Sequence, residues 1–352
     1  MIGTVAAAQA TTRIPASGRS GVEAMSALVA GVDLGGTHMQ VGVVARDGRI
    51  VGRTRGRTPV ASGPQGVIDA VVARIDEACT EADASLSELR AVCVGVPAPV
   101  DSTFRIALNA VNLNWRNVAA ADLIHDALAR RTGGKVDAHV TLDNDVNVAA
   151  WGEFRAGAGR DAVNMLGVWV GTGIGGGLVL NRQLHHGSFG TAGEFGQTWL
   201  FPGSGPAHLK VEHHGSRTFI VDDLRRLIRA NSPSSLREMV DGNLEALTIA
   251  HVAVAIEAGD NLAIEVTRHA ARAVGIAAAN AVTLLSLDTV VLGGGVTEAV
   301  GHRYVAWVRE AFDDAVFPER CRDCAILPTQ LKDDAGVVGA GLLAWTRSEQ
   351  HS

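Results

Sequence analysis

The chain contains little cysteine, no excess of basic residues and no long apolar run. Its 352 residues include four cysteines, too few for a disulfide framework, so we expect a reducing, cytoplasmic environment. Cys321 and Cys324 form one CxxC pair without a second pair, which favours two incidental thiols over half of a zinc site. A net charge of -6 argues against nucleic acid or an anionic membrane as the main partner. No apolar run reaches the length of a membrane-spanning helix.

Glycine, in contrast, is abundant and clustered. The 41 glycines include GGT at position 35, GTGIGGG at 171, GGG at 293 and GVVGAG at 336. Glycine loses much backbone entropy on folding, so clusters mark places where the chain takes a positive φ or approaches a ligand closely. Residues 1–29 lack a periodic apolar pattern, and we expect them to form a flexible leader.

The order of predicted elements indicates an α/β protein with an internal duplication. Hydrophobic periodicity predicts three strands, a helix, a strand, a helix and a strand between Ala30 and Leu142. A second unit opens at Asn164 in the same way, with a strand, a glycine turn and another strand. We therefore expect two lobes with a cleft between them, a common place for ligands. The expected division is a smaller lobe of residues 30–142 plus 333–352, and a larger lobe of residues 143–332.

Two glycine turns indicate a phosphate site. Each follows an apolar strand and supplies main-chain N–H groups and a threonine hydroxyl to an anion; the residues are Gly35, Gly36 and Thr37 in the first turn and Gly171, Thr172 and Gly173 in the second. Asp33 lies beside the first turn, and a carboxylate next to a phosphate implies a bridging Mg²⁺. Taken alone, the first turn is equally compatible with an ordinary hairpin. Neither turn fits a Walker loop or a dinucleotide fingerprint, because no GK[ST] follows and a strand comes next.

Three further motifs carry candidate ligands. In LDNDVNVAAWGE, Asn144 and Asp145 lie where a strand ends and a helix begins, so Asn144 could bind a sugar hydroxyl and Asp145 could accept its proton. Helix capping explains one of the two equally well. Glu194 lies between glycines in GTAGEFG, where it could bind a diol or be an ordinary solvated residue. In VVLGGGV and DDAGVVGAG, small residues could lie against a flat ring such as adenine, and close helix–strand packing explains the second motif equally well. The glycines of the first motif are Gly293, Gly294 and Gly295.

Taken in order along the chain, these motifs resemble the ROK family of repressors and sugar kinases. The resemblance covers about residues 31–345 and includes GVPAPVD and NLNW besides the motifs above. It implies a two-lobed ribonuclease-H-like (actin-like ATPase) fold with a central cleft, and ATP-dependent phosphorylation of a hexose, most often at its 6-hydroxyl. It also implies that Asp145 is the catalytic base and that Asn144 and Glu194 bind sugar, with Asn112 a weaker candidate. The two glycine turns become the ATP phosphate sites, and a homodimer is expected.

The chain departs from the family where its zinc motif is expected. The family histidine is Gln197 here, and the region that follows it, residues 198–220, contains no cysteine, so structural zinc is not expected. Gln197 can still hydrogen-bond a sugar hydroxyl, whereas the glutamate that follows in the family is expected near residues 216–218 and is missing there. A nearby group of polar residues could bind a metal, but histidines without the family spacing more often lie on a polar loop; the residues are His208, Glu212, His213 and His214. Ala98 replaces a family glycine, which leaves the choice among glucose, fructose, mannose and hexosamines open.

Three other functions remain possible for such a chain. A sugar-responsive regulator is disfavoured, because the leader lacks two periodic helices for a DNA-binding module and the net charge is negative. A polyphosphate-dependent kinase is an alternative, since relatives of that kind also lack the zinc cysteines. An inactive kinase-like protein is disfavoured because the proposed base and both glycine turns are present.

Overall fold

The structure, a computed structural model, describes residues 28–200 and 210–350. The predicted leader lies almost entirely outside these residues, as does His208. Among the described residues, no helix combines the length and the apolar character needed to cross a bilayer.

The first half of the chain builds a five-stranded sheet with strand order β3-β2-β1-β4-β7. Its strands, with a separate hairpin made by β5 and β6, are β1 (Leu28–Leu34), β2 (His38–Val44), β3 (Ile50–Arg57), β4 (Leu89–Val96), β5 (Ala107–Ala110), β6 (Trp115–Val118) and β7 (His139–Asn144). β1, β2 and β3 are antiparallel, whereas β1, β4 and β7 run parallel. The near-continuous apolar run of β4 suits a strand that is covered on both faces. Helices α1 (Gly63–Glu81) and α2 (Ala120–Thr132) pack on one face of this sheet.

The second half repeats this arrangement after α3 (Asp145–Ala156). Its sheet has the order β10-β9-β8-β11-β12, in which the first three strands are again antiparallel and the rest parallel. The strands are β8 (Met165–Val170), β9 (Ile174–Leu180), β10 (Gln183–His185), β11 (Thr289–Gly293) and β12 (Ala325–Pro328). The matching strand orders confirm the predicted duplicated fold.

Most helices of the second half lie on the outer face of its sheet. They are α4 (Glu212–Gly215), α5 (Arg217–Arg229), α6 (Leu236–Met239), α7 (Ile249–Glu257), α8 (Asn261–Leu285), α9 (Gly295–Val300) and α10 (His302–Ala315). α8 and α10 pack against each other over the core formed by residues such as Tyr304 and Phe312. Helix α5 begins at Arg217 because Ser216 caps it by accepting from the Phe219 N–H at 3.2 Å.

Helix α3 and the last helix, α11 (Ala335–Gln350), lie between the two sheets and join them. Their shared core takes residues from both halves, among them Val29 and Cys93 from the first and Met165 and Val291 from the second. The two helices approach closely where Gly339 meets α3, since a Cβ there would lie 1.6 Å from the Val148 carbonyl oxygen. The cleft opens along this central layer.

Candidate functional site

A cleft of about 560 Å³ lies between the two halves and collects most of the predicted site residues. From the first half and α3 it takes the predicted residues Asp33, Asn144 and Asp145. From the second half it takes Gly171, Thr172, Gly173, Glu194, Gln197, Gly294 and Gly295. Residues that are about 160 positions apart in the sequence thus line one cavity.

The three adjacent residues of the DND triplet, residues 143–145, make different contacts. Asp143 is fully buried and is bonded to Arg347 and His186. Asn144 caps α3, with its Oδ1 accepting from the main-chain N–H groups of Val146 at 2.9 Å and Asn147 at 3.2 Å. The capping alternative therefore holds for the Asn144 oxygen, while its amide nitrogen, 3.5 Å from the Ala98 carbonyl, faces the cleft.

Asp145 is left as the carboxylate at the mouth of α3. Its Oδ1 accepts from the Val146 N–H at 2.9 Å, which fixes the side chain against the first turn of the helix. Burial, and then the charge of Asp33, raise the pKa of Asp145 to about 7. A carboxyl group that titrates near neutral pH at the edge of a cleft is well matched to accept a proton.

Asp33, at the end of β1, is the second perturbed carboxyl group. Burial, and then the charge of Asp333, raise the pKa of Asp33 to about 6. The main chain of α11 lies directly against it, since a Cβ at Gly336 would be 2.7 Å from the carboxylate. Asp33 and Asp145 thus repel each other across the floor of the cleft.

The cleft as a whole is strongly acidic. Among the described residues that line it, six carboxylates face a single lysine, Lys332; the carboxylates are Asp33, Asp145, Glu194, Glu212, Glu298 and Asp333. A polyphosphate chain entering such a cleft needs a cation, and Mg²⁺ takes one or two carboxylates together with phosphate oxygens and water. Asp33 therefore fits a magnesium ion that accompanies a nucleotide. Within residues 28–200 and 210–350, no group of three or more metal-ligating side chains forms a site of its own.

The second glycine turn is braced by the start of α5. The Arg217 N–H donates to the Gly171 carbonyl at 2.9 Å, and the Thr218 hydroxyl donates to the Thr172 carbonyl at 2.7 Å. The Arg217 guanidinium donates to the Thr172 hydroxyl and lies 3.9 Å from where a Cβ on Gly295 would stand. Arg217 therefore brings a positive charge to the rim of this turn, a residue that sequence reasoning missed.

An acidic residue lies four positions before the place where the family glutamate is expected. No acid occurs at residues 216–218, whereas Glu212 lines the cleft. Its carboxylate accepts from the Ile174 N–H at 2.8 Å and from the Gln197 side-chain amide at 3.3 Å. The Lys210 ammonium group donates to the side-chain amide oxygen of Gln197 at 2.7 Å. Gln197 thus links Glu212 to Lys210 beside Glu194.

Several predicted residues lie outside the cavity. The first glycine turn connects β1 and β2. The hairpin of β5 and β6 lies against this turn, because a Cβ on Gly36 would be 2.8 Å from the Cβ of Asn112. Gly293 packs against the Trp169 indole, which explains its lack of a side chain. The predicted residues that do not line the cavity are Gly35, Gly36, Thr37, Asn112 and Gly293. His214 packs against the rings of Phe219 and His269 instead of facing the cleft.

A buried glutamate, also missed from sequence, shapes the cleft from behind. Glu153 of α3 is fully buried and accepts from the main-chain N–H groups of Gln330 and Leu331 at 2.8–3.2 Å, and from the Thr329 hydroxyl. These bonds fix the turn that presents Lys332 to the cleft. The helical spacing of DVNVAAWGE gave a signal, because an acid on the buried face of an amphipathic helix needs partners.

Comparison with known proteins finds relatives of this chain both in sequence and in structure. The sequence model of the ROK family matches residues 29–347. The chain is 30% identical over 318 residues to a glucokinase of Halalkalibacterium halodurans, covering 89% of this chain and 93% of that protein. It is 27% identical over 313 residues to the N-acetylmannosamine kinase of Escherichia coli O157:H7, covering 89% and 97%. A ROK family glucokinase from Streptomyces griseus, solved in complex with glucose and AMPPNP, superposes with a TM-score of 0.76 at 30% identity, covering 91% of this chain and 99% of that one.

Proposed function

Because the chain belongs to the ROK family and is a sugar phosphotransferase, we propose that it transfers the terminal phosphoryl group of ATP to a hexose hydroxyl. The observation that carries this proposal is the pairing of Asn144 and Asp145 with Glu194 across one acidic cleft, which the second glycine turn also lines. The 6-hydroxyl of glucose is the first expectation, with fructose, mannose and hexosamines as the other candidates.

Asp145 is proposed as the general base. Phosphoryl transfer passes through a loose transition state, so the base orients the attacking hydroxyl and takes its proton late, without forming a free alkoxide. A pKa near 7 leaves much of Asp145 ionised at neutral pH while it remains basic enough to accept that proton. Its fixed position beside the Val146 N–H supports an orienting role.

The sugar is proposed to bind where amide and carboxylate groups converge. Asn144 offers its amide N–H groups, while Glu194 and Glu212 offer acceptors that suit neighbouring hydroxyls. Gln197 is proposed to act together with Glu212, since the two side chains are bonded to each other. The mixture of donors and acceptors suits a polyol rather than an apolar ligand.

ATP is proposed to lie along the second half of the cleft. Gly171, Thr172 and Gly173 would bind phosphate, with Gly294 and Gly295 against the nucleoside, and Gly35, Gly36 and Thr37 would reach the phosphates from the other lobe. Asp33 would hold the accompanying Mg²⁺, which supplies neutralisation of the phosphate charge. Arg217 and Lys332 are the chain's own cations for this purpose.

The remaining proposals concern organisation. We keep the lobe division at residues 142/143 and 332/333, a homodimer and a cytoplasmic location as proposals. Light scattering during size exclusion tests the dimer directly.

The decisive experiment measures ADP release with each hexose and hexosamine in turn, using ATP and polyphosphate as alternative donors and following sugar phosphate separately. We expect the highest kcat/KM with ATP and one hexose. Phosphorylation with polyphosphate but not ATP would replace the donor in the proposal, and absence of sugar phosphate across the whole panel would refute it.

A further inference from the structure

A fully buried carboxylate connects the two lobes directly behind the proposed base. Asp143 Oδ1 accepts from the Asn144 N–H at 2.9 Å and from the Asn147 side-chain amide at 3.1 Å. Its Oδ2 is bonded to His186 Nε2 at 2.9 Å and to the Arg347 guanidinium. One side chain therefore joins the end of β7, the start of α3, the end of α11 and a loop of the second lobe.

The surroundings of this cluster bury the Asp143 carboxylate completely, leave His186 partly exposed, and favour the charged form of Asp143. The Arg347 guanidinium lies 4.0 Å from the centre of the Phe104 ring, and the His186 ring meets the same ring edge-on at 4.9 Å. Burial alone would raise the pKa of Asp143, but the bond from His186 and the charge of Arg347 outweigh it and hold the pKa below its ordinary value. Asp143 is thus an ionised acceptor, and His186 Nε2 acts as the donor to it.

His186 lies at the base of the loop that carries Glu194. It follows β10 directly, and its carbonyl accepts from the Ala192 N–H at 3.1 Å, which closes residues 186–192 into a compact loop. Glu194 comes two residues after this closure. A shift of His186 therefore moves the segment that presents Glu194 to the cleft.

We propose that His186 is a positioning residue that sets the spacing between the two halves of the sugar-binding face. Through Asp143 it holds the loop that carries Glu194 against the Asn144–Asp145 pair at the start of α3. This inference rests on the proposed function, because it assigns Glu194, Asn144 and Asp145 to one sugar. His186 itself does not line the cleft, so it acts through its neighbours and not by contact with substrate.

The chain provides a matched control in the preceding residue. His185 is an exposed histidine at the end of β10, so His185→Ala makes the same substitution at the neighbouring position, outside the contact with Asp143. His186→Ala removes the bond to Asp143, whereas His186→Gln keeps an N–H donor of similar reach without the ring. A bond to a charged acceptor is strong enough that its loss changes an affinity about tenfold or more.

The first test compares initial rates of the three variants with glucose and ATP. We expect His186→Ala to raise the KM for glucose about tenfold while the KM for ATP stays within about twofold. His186→Gln should bring the KM for glucose most of the way back to the original value. His185→Ala should have the same KM values as the unchanged protein. An unchanged KM for glucose in His186→Ala, an equal rise in both KM values, or no recovery with His186→Gln would overturn the proposal.

A second measurement separates this inference from the proposed function. Amide hydrogen exchange of peptides covering residues 187–194 is followed in the ligand-free proteins, where no kinase activity is needed. Faster exchange in His186→Ala than in His185→Ala is expected, and equal exchange would refute the positioning role. If the unchanged protein phosphorylates no sugar, the proposed function fails while this comparison still decides whether His186 fixes the loop.

Discussion

Replacing Asp145 by asparagine should abolish most activity and at the same time stabilise the ligand-free protein. The amide keeps an oxygen for the Val146 N–H, which Asp145 Oδ1 accepts at 2.9 Å, so the local geometry is retained. The change removes the proton acceptor and also removes one of two carboxylates that repel each other in the cleft. Turnover is expected to fall by about 10²-fold or more, with the KM values for glucose and ATP within a few-fold of the original.

The size of the stabilisation follows from the raised pKa of Asp145. The folded protein holds this pKa at about 7 against an ordinary 3.8, and each pKa unit corresponds to about 1.4 kcal/mol. The carboxyl group is partly exposed to the cleft, so solvent screening reduces the effect, and we expect about 2–4 kcal/mol at pH 8. Because the folded pKa lies above the unfolded value, the native protein loses this stability as the pH rises through 7. The advantage of Asp145→Asn should therefore shrink to about 1 kcal/mol or less near pH 4.5.

Differential scanning calorimetry of the ligand-free proteins at several pH values measures this directly, with a rise in Tm of several degrees expected at pH 8. Asp137→Asn is the matched control, because the Asp137 side chain is 100% exposed, and it should leave both Tm and turnover unchanged. The reasoning is refuted if Asp145→Asn is no more stable than the original protein at pH 8, if its advantage is independent of pH, or if it retains turnover.

Three other substitutions test separate parts of the structure. Arg217→Met should raise the KM for ATP about tenfold with little change in the KM for glucose, because the guanidinium lies at the Thr172 turn; initial rates at varied ATP decide this, and a selective effect on glucose would contradict it. Gly339→Ala should lower the free energy of unfolding by about 3 kcal/mol in chemical denaturation, because the new Cβ would lie 1.6 Å from a carbonyl oxygen of α3. In the control variant Gly56→Ala, the new Cβ meets only the flexible Arg74 side chain at 3.3 Å, so the free energy of unfolding should change little. Arg347→Ala should cost about 3–5 kcal/mol because it leaves buried Asp143 without its guanidinium, and a loss below about 1 kcal/mol would show that His186 alone suffices.

The parts of the fold that the sequence predicted are those with local signals. The strand, glycine turn and strand at the start of each half have a short-range pattern, and the same sheet order follows in both. The β5–β6 hairpin was missed because its strands have four residues each, too few for a periodic signal. The third strand of the second sheet is even shorter, with three residues.

The candidate site was predictable where a residue type and its place on an element coincide. Asn144 and Asp145 come at a strand-to-helix junction, so both their capping and their chemical roles could be inferred. Glu212 could not be placed, because no periodic pattern in the sequence fixes its spacing from Glu194. The roles of Arg217 and His186 depend on contacts between distant parts of the chain, with Thr172 and Asp143 respectively, and a single sequence carries no signal for such contacts.

The acidity of the cleft connects the stability of the protein to its proposed chemistry. The raised pKa values of Asp33 and Asp145 mean that each charged carboxylate is less stable in the folded cleft than in the unfolded chain, and folding brings the two together. Linkage is reciprocal, so a ligand that brings positive charge to these carboxylates lowers their pKa values and binds more tightly as the pH rises. A cleft with this charge distribution therefore holds Asp145 partly protonated while it is empty and converts it to the base form when a cation-bearing donor arrives. On this argument the same repulsion that destabilises the ligand-free fold restricts the fully ionised form of Asp145 to the loaded cleft.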